Sequence, residues 1–477
     1  MSAVPDITRW AADQQMPSRP WLMLGKGPSY AKFASAATAD YRLLGLNHVV
    51  RQQPVDVAHA IDLDVVHDCA EALLQNAGVL WMPAHPHVEC KPSERPLWSW
   101  CSEVPVLAQL QQEGRLAWYN ASTWPTPHPA SPLVDVRFFS AEAALHALAL
   151  CGAKVVRSLG VDGGNRYADD FEDLRESTLL ANGHPNFDRQ FEGFSRIIRR
   201  TGVHYSPLHI QSPVRVFVGT DATQRAGLAL LEDSIRRHAS VSVQVQAIDD
   251  ADIPVPRLPA NRGRTGFSFS RFGIPALCGH RGRAIYLDAD MQVFSDILAL
   301  WNRPMDGKTL LSAQVDPAWG RAPQHSVMLL DCAGLDWDAA RIIDGLDEGE
   351  YTYADLMQRM CIVADSKQAA TLPAQWNSME HYEPLRTHLV HYTDMPTQPW
   401  VSNANPNGQL FYRAFAEALR DGGIDAALVY AEVERGHVAP DFPRWVGLPS
   451  HPDAKRLQRD WVPPYKRLLP GATARRA

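Results

Sequence analysis

Arg283-Ala-Ile-Tyr-Leu-Asp288-Ala-Asp290-Met291 is the stretch on which the reading of this 477-residue chain turns. A short apolar run that stops on two carboxylates one residue apart reads as a buried strand. Its C-terminal edge then presents oxygen ligands, and that edge is where open α/β sheets bind their ligands. Two hard oxygens suit Mg²⁺ or Mn²⁺, and such a cation, keeping open positions, holds a diphosphate and takes up the charge that develops as it departs. A bare Asp-x-Asp also reads as an acidic turn after a strand, so its surroundings have to decide.

Upstream lie an apolar strand Val214-Arg-Val-Phe-Val-Gly219 followed by Thr220-Asp221, a helix ending Ser234-Ile-Arg-Arg-His238, and Phe267-Ser-Phe-Ser-Arg271-Phe-Gly-Ile-Pro275. Downstream come Val327-Met-Leu-Leu-Asp331, Trp376-Asn377 and His391-Tyr-Thr-Asp-Met-Pro-Thr-Gln398-Pro-Trp400. In the first helix Leu228, Leu231 and Ile235 predict the stripe that packs on the sheet, with Asp221 or Thr223 as its cap. Arg262, Arg264 and Arg271 gather planar, permanently charged forks suited to diphosphate oxygens just before the acidic pair.

This ordered set, over about residues 211–402, resembles glycosyltransferase family 8, the retaining sugar transferases with a GT-A fold. The resemblance implies that Asp288, Asp290 and His391 hold the metal, with Mn²⁺ favoured over Mg²⁺ by the nitrogen ligand. It implies donor contacts from Thr220, Asp221, Arg264, Arg271, Gln398 and Trp400, and catalytic parts for Asp290, Arg271 and Asn377. Two departures stand out. The terminal motif lacks the family's glycine and lysine, with Thr393-Asp394 and the residues up to Gln398 in their place, and Gln324-His325-Ser326 replaces the family's asparagine segment.

The length allows two or three domains. With 46 basic against 53 acidic residues and a formal charge of −7, nothing favours a nucleic-acid partner. Seven scattered cysteines without Cys-x-x-Cys fit free thiols in a reducing compartment, so a cytoplasmic location is expected. Residues 1–10 have no apolar signal region and no window is long and apolar enough to span a membrane, which predicts a soluble or peripheral protein.

In residues 1–210, Trp21-Leu-Met-Leu24 runs into Gly25-Lys-Gly27-Pro-Ser29, and a helix is expected from Tyr30. A strand, a glycine turn and a helix start together make an anion site when their amides point at the ligand. Strands are also expected over Tyr41–Leu46, ending at Asn47, and over Val55–Ile61. A helix over Ala141–Leu150 leads to a strand ending Leu159-Gly160-Val-Asp162-Gly-Gly164. Strands alternating with helices predict a mostly parallel, Rossmann-like sheet. The Gly-Lys-Gly-Pro-Ser loop, Asn47 and the Gly-Val-Asp-Gly-Gly segment loosely resemble certain bacterial sialyltransferases and 6-hydroxymethylpterin pyrophosphokinase-like proteins. That likeness implies a nucleotide or acceptor pocket near Gly25, Gly27, Asn47 and Asp162. His85-Pro-His87-Val-Glu-Cys90 lacks a fourth ligand at zinc spacing and reads as a surface loop.

Two prolines within Tyr205–Pro213 mark a polar connector between this half and a second domain, residues 211–454. The tail, residues 455–477, mixes Lys455, Arg456, Arg459, Lys466 and Arg467 with Trp461 and Tyr465. It resembles tails that hold some family members on the inner membrane, beside the simpler reading of a solvated tail. The expected fold class is therefore α/β, two Rossmann-like domains with a GT-A type second domain. The expected activity is metal-dependent, retaining transfer of a hexose from a nucleotide diphosphate sugar, UDP-linked, to a saccharide or lipid-linked acceptor. A non-catalytic nucleotide-sugar or glycan binder and a nucleotidyltransferase are the alternatives, and the first half could add a second transferase activity.

Overall fold

A computed structural model describes residues 4–14, 19–129, 131–210, 212–250, 253–262, 265, 267–316 and 325–467. The chain divides into two compact units, Met1–Ser212 and Pro213–Ala477.

The first unit is built on β1 (Trp21–Leu24), β2 (Arg42–Leu46), β3 (Val55–His59), β4 (Ala77–Pro83), β5 (His87–Val88), β6 (Lys91–Pro92), β7 (Leu116–Ala121), β8 (Leu133–Val134), β9 (Val155–Leu159) and β10 (His204–Pro207). Eight of them form one sheet, ordered β10-β9-β1-β2-β3-β4-β7-β8, in which every pairing is parallel. Strands covered on both faces are apolar throughout, and all four residues of β1 are buried. The expected α/β class with a parallel sheet is what this unit adopts. The sheet grows from β1 through β2 to β8 on one side, then returns to add β9 and β10 on the other, so its crossover lies between β1 and β9.

At that crossover two glycine loops lock together. Gly25 N donates to Leu159 O and Gly27 N to Gly160 O, both at 2.8 Å. Ser29 gives its amide to Asp162 Oδ2 at 2.6 Å and its hydroxyl to Asp162 Oδ1 at 2.5 Å. The amides of Gly25, Gly27 and Ser29, expected to face an anion, are therefore bonded within the protein. The helix expected from Tyr30 is instead a 3₁₀ turn over Pro28–Ser35. Tyr30 N bonds back three residues to Gly27 O at 3.0 Å, because Ser29 is held by Asp162. Tyr205 and Pro207, expected in the connector, belong to β10, where the Tyr205 hydroxyl meets Ser158 Oγ at 2.8 Å. The His85 segment is a hairpin of β5 and β6, with the His85 ring stacked 3.9 Å from Trp124.

The second unit contains β11 (Val214–Gly219), β12 (Val243–Ile248), β13 (Arg283–Asp288), β14 (Met291–Val293), β15 (Leu310–Ala313), β16 (Val327–Asp331), β17 (Gln368–Leu372), β18 (Ser378–Met379) and β19 (Leu389–His391). A six-stranded mixed sheet runs β12-β11-β13-β16-β15-β17, and a small second sheet runs β14-β19-β18. The strand Arg283–Asp288 thus lies inside the larger sheet, between parallel β11 and antiparallel β16.

The helix Arg225–His238 packs through Gly227, Leu230, Leu231, Ser234 and Ile235. Leu228, expected in that stripe, is only half-buried. The face is rotated because the helix approaches so closely that a Cβ on Gly227 would stand 2.8 Å from Ala289 O and 2.9 Å from Trp400. Tail residues 454–467 are folded: helices Ala454–Asp460 and Pro464–Arg467 cover the unit. The Trp461 indole donates to Gly436 O at 3.1 Å, and Tyr465 packs on the cluster around Phe411 and Phe442. Residues 468–477 lie outside the described residues.

The interlocked loops make a stability prediction. Gly160 has φ +73, and a Cβ there would run into the Gly25 carbonyl. Gly160→Ala should cost about 2–4 kcal/mol, left-handed strain plus overpacking. Gly164→Ala, at φ +67 with nothing within 4 Å of an added Cβ, should cost about 1–2 kcal/mol from strain alone. Hydrogen exchange of the β1 and β9 amides should quicken markedly in the first variant and little in the second; equal effects would contradict the interlock.

Candidate functional site

Strand β13 ends on Asp288, and Asp290 lies in the two-residue step to β14. Register across the large sheet sets Gly219 beside Asp288, which brings Thr220 and Asp221 to the same edge. In the small sheet Met291 pairs with His391, and Tyr392 N donates to Asp290 O at 2.8 Å. This ladder carries His391 to the acidic pair. Its Nε2 stands 3.0 Å from Asp290 Oδ1 and 4.0 Å from Asp288 Oδ2. Ligand atoms of Asp288, Asp290 and His391 all lie within 4.8 Å of one another, the group among the described residues able to share one metal ion.

Each of these groups is held from behind. Asn377, fully buried, presents Oδ1 to His391 Nδ1 at 2.9 Å and donates Nδ2 to Ser326 Oγ at 3.2 Å. With Nδ1–H so engaged, Nε2 is the nitrogen turned to the carboxylates. Gln398 Nε2 donates to Asp290 Oδ2 at 3.0 Å and to Tyr392 O at 3.1 Å. The Tyr286 hydroxyl donates to Asp288 Oδ1 at 2.7 Å. Arg271 lies 4.5 Å over the Tyr286 ring, reaches Asp288 at 3.5 Å, and donates Nη1 to His325 O at 2.8 Å.

Burial pushes the Asp288 carboxyl above its ordinary value; Arg271 and His391 oppose the rise and Asp290 adds to it. Burial pulls His391 down, but Asp290 and Asp288 more than offset it, so its pKa is raised. Two carboxylates and one imidazole in a buried cluster form a set that a divalent cation satisfies: oxygen and borderline nitrogen donors, with a carboxylate charge that burial penalises until a positive partner arrives.

The structure thus brings together Asp288, Asp290, His391, Arg271, Asn377 and Gln398, and places Asn377 and Gln398 behind the ligand atoms. Asp221 caps the turn that follows it, accepting from Thr223 N at 2.8 Å, while Thr220 is buried beside it. Trp400 is in the core, 5.5 Å from Phe411 and packed on Gly227. Arg264 and Gln324 lie outside the described residues. Sequence reasoning missed Tyr286, although it sits two residues before Asp288 and a strand's two-residue period turns both to one side. His325 and Ser326, read as departures from a motif, are the residues that tie down Arg271 and Asn377.

Residues 207–337 match the family model described as glycosyl transferase family 8. The second unit is family 8-like. That match includes Asp288 and Asp290 and ends before Asn377, His391 and Gln398. Among curated proteins, Protein CDI of Arabidopsis thaliana is 31% identical over 110 residues, 22% of this chain and 42% of that protein. The chain therefore matches less than half the length of this relative. Among solved structures, the galactosyltransferase LgtC with donor and acceptor sugar analogues is 16% identical over 42% of this chain and 94% of its own, TM-score 0.29. The apo glycosyltransferase GlyE of Streptococcus pneumoniae TIGR4 is 15% identical over 50% and 65%, TM-score 0.33. Mouse xyloside xylosyltransferase 1 is 14% identical over 39% and 99%, TM-score 0.26.

If Asn377 sets the presentation of Nε2, Asn377→Leu should weaken Mn²⁺ binding by about 10–100-fold. Calorimetric titration of the full chain measures this, and unchanged affinity in a variant with parental melting would contradict it.

Proposed function

We propose that the chain is a metal-dependent, retaining glycosyltransferase that moves a hexose from a UDP-sugar to a saccharide or lipid-linked acceptor. The convergence of Asp288, Asp290 and His391 at the edge of β13, inside a family 8-like unit, carries this reading. Those three side chains would hold Mn²⁺ or Mg²⁺, and the ion would supply positive charge to the diphosphate as it departs. Arg271 keeps Asp288 in place and adds a permanent positive charge beside it. Tyr286 and Gln398 each occupy one oxygen of a ligand carboxylate, so the other oxygens are oriented toward a shared point. Thr220 and Asp221 lie one strand over, at the same sheet edge, and would meet the nucleoside part of the donor.

In the reaction the bond from the anomeric carbon to the phosphate oxygen breaks and a bond to the acceptor oxygen forms on the face just vacated. The acceptor's proton passes to the departing phosphate oxygen. No side-chain base is needed in that scheme, and electrostatic stabilisation of the leaving group is its principal term. Trp400 is left out of donor binding because its ring is spent on Gly227 and Phe411.

Asp288→Asn and Asp290→Asn should each abolish Mn²⁺-dependent transfer and UDP-sugar hydrolysis, measured as UDP released from UDP-glucose, UDP-galactose and their N-acetyl forms. Turnover retained by either variant would remove the metal assignment, and pyrophosphate as product would point to a nucleotidyltransferase.

Any peripheral membrane contact of the tail falls to its basic side chains, since Trp461 and Tyr465 are occupied inside the unit. Among the described residues no helix is long and apolar enough to cross a membrane. Flotation with liposomes rich in anionic lipid should therefore fall when Lys455, Arg456 and Arg459 are replaced by Gln, and Trp461→Ala should act through stability instead.

A further inference from the structure

Strand β18 ends at Met379, which pairs with His391 across the small sheet. The next residue, Glu380, leaves the strand at φ 55, in the left-handed region that costs a non-glycine side chain energy. Strain of this kind persists only where surrounding contacts impose it, and such positions gather at functional sites. The contacts here are specific. Glu380 N donates to His391 O at 3.0 Å, and the carboxylate is turned onto the segment that follows His391.

Glu380 Oε1 accepts from Asp394 N at 2.8 Å, Oε2 accepts from Asn405 Nδ2 at 3.1 Å, and the carbonyl accepts from Asn407 Nδ2 at 2.9 Å. Asn405 is buried, and helix Gly408–Arg420 starts directly after Asn407. The two asparagine bonds therefore tie Glu380 to the fold. The Asp394 bond leads to the site. Asp394 opens a turn that braces itself: its carbonyl accepts from Thr397 N at 2.9 Å and its Oδ2 from Thr397 Oγ1 at 2.7 Å. Gln398 follows at once and gives Nε2 to Asp290 Oδ2 at 3.0 Å. A turn that is rigid within itself delivers Gln398 to one place when its first residue is fixed, and Glu380 fixes that residue.

We propose that Glu380 is a positioning residue of the metal site: through the Asp394 amide it sets the turn that carries Gln398, and through Gln398 it sets the orientation of Asp290. The inference rests on the reading of Asp288, Asp290 and His391 as metal ligands. It gives the segment from Thr393 to Gln398, where the chain departs from the family motif, an anchor of its own. Two other roles compete, an anchor for stability alone and a charge alone. The second has a physical basis, because burial pulls the His391 pKa down, Asp290 and Asp288 lift it, and Glu380 adds to the lift. The three roles differ in what a neutral side chain of the same shape does and in what a shortened one does.

The test is calorimetric titration of the full chain with Mn²⁺, with melting measured on the same proteins. Glu380→Gly relieves the left-handed strain as it removes the carboxylate, so it should melt close to the parental protein and yet bind Mn²⁺ roughly tenfold or more weakly. Glu380→Asn, which adopts the left-handed region readily and is one methylene short of the Asp394 amide, is the second variant and should lose affinity in the same way. Glu380→Gln keeps an acceptor for that amide and should retain most of the affinity. Gln398→Leu should weaken Mn²⁺ binding, and adding Glu380→Gly to it should weaken binding little further, because both act on Asp290 by one route. Parental affinity in Glu380→Gly and Glu380→Asn would leave Glu380 an anchor of the fold only. Equal losses in Glu380→Gln and Glu380→Gly would assign the effect to charge, and additive losses with Gln398→Leu would remove the route; each of these results overturns the proposal. A parental chain that binds no Mn²⁺ would overturn the metal reading itself, and this inference with it.

Discussion

The backbone ladder between β14 and β19 is the constraint on which the site in the second unit depends. It pairs Met291 with His391 and bonds Tyr392 N to Asp290 O, so two segments far apart in sequence share one position in space. A strand's side chains alternate, and a slip of one residue would turn His391 to the other face and carry it away from Asp290. The register is protected by burial: His391, Val390 and Leu389 are all buried, as are Met291 and Val293 opposite. Packing thus fixes a pairing, and the pairing fixes a set of polar atoms.

Burying such a set is expensive unless its members satisfy one another. Here they do so in a chain of contacts: Ser326 to Asn377, Asn377 to His391, His391 to Asp290, Asp290 to Gln398, with Tyr286 and Arg271 on Asp288. In a low-dielectric interior each bond polarises the next, and loss of one leaves its partner unpaired. The network leaves two carboxylates facing one imidazole. That arrangement suits a cation better than any neutral occupant, and it locates the chemistry at the edge of one strand.

Both units put polar loops at the C-terminal edges of parallel strands, yet they treat them differently. In the second unit the edge carries acids backed by donors. In the first, the glycine loop that resembled an anion cradle has turned its amides inward, onto the carbonyls of Leu159 and Gly160, because two glycines without side chains let two backbones approach each other. Charged side chains surround the open space beside the loop, among them Lys26, Asp62, Asp64 and Asp68.

Much of the fold was legible in the sequence because strands buried on both faces must be apolar and must end where the chain becomes polar. Trp21–Leu24, Val214–Gly219 and Arg283–Asp288 announce themselves in that way, and the order of segments from Val214 to Trp400 carried the family likeness. Local pattern offered Asp221 or Thr223 as a helix cap, and Asp221 caps the short turn that leads into that helix. Pattern could not show that Leu230 and not Leu228 faces inward, since that depends on how near Gly227 lets the helix come to Ala289. Nor could it show that Trp461 and Tyr465 are consumed by packing. The sequence by itself determined the strands, the α/β class and the acidic pair, all of which follow from side-chain polarity read along the chain. Only the tertiary structure decided that His391 meets that pair, that Asn377, Ser326, Tyr286 and Gln398 hold it, and that the glycine loop is closed, because those are contacts between residues set side by side by sheet register and close backbone approach.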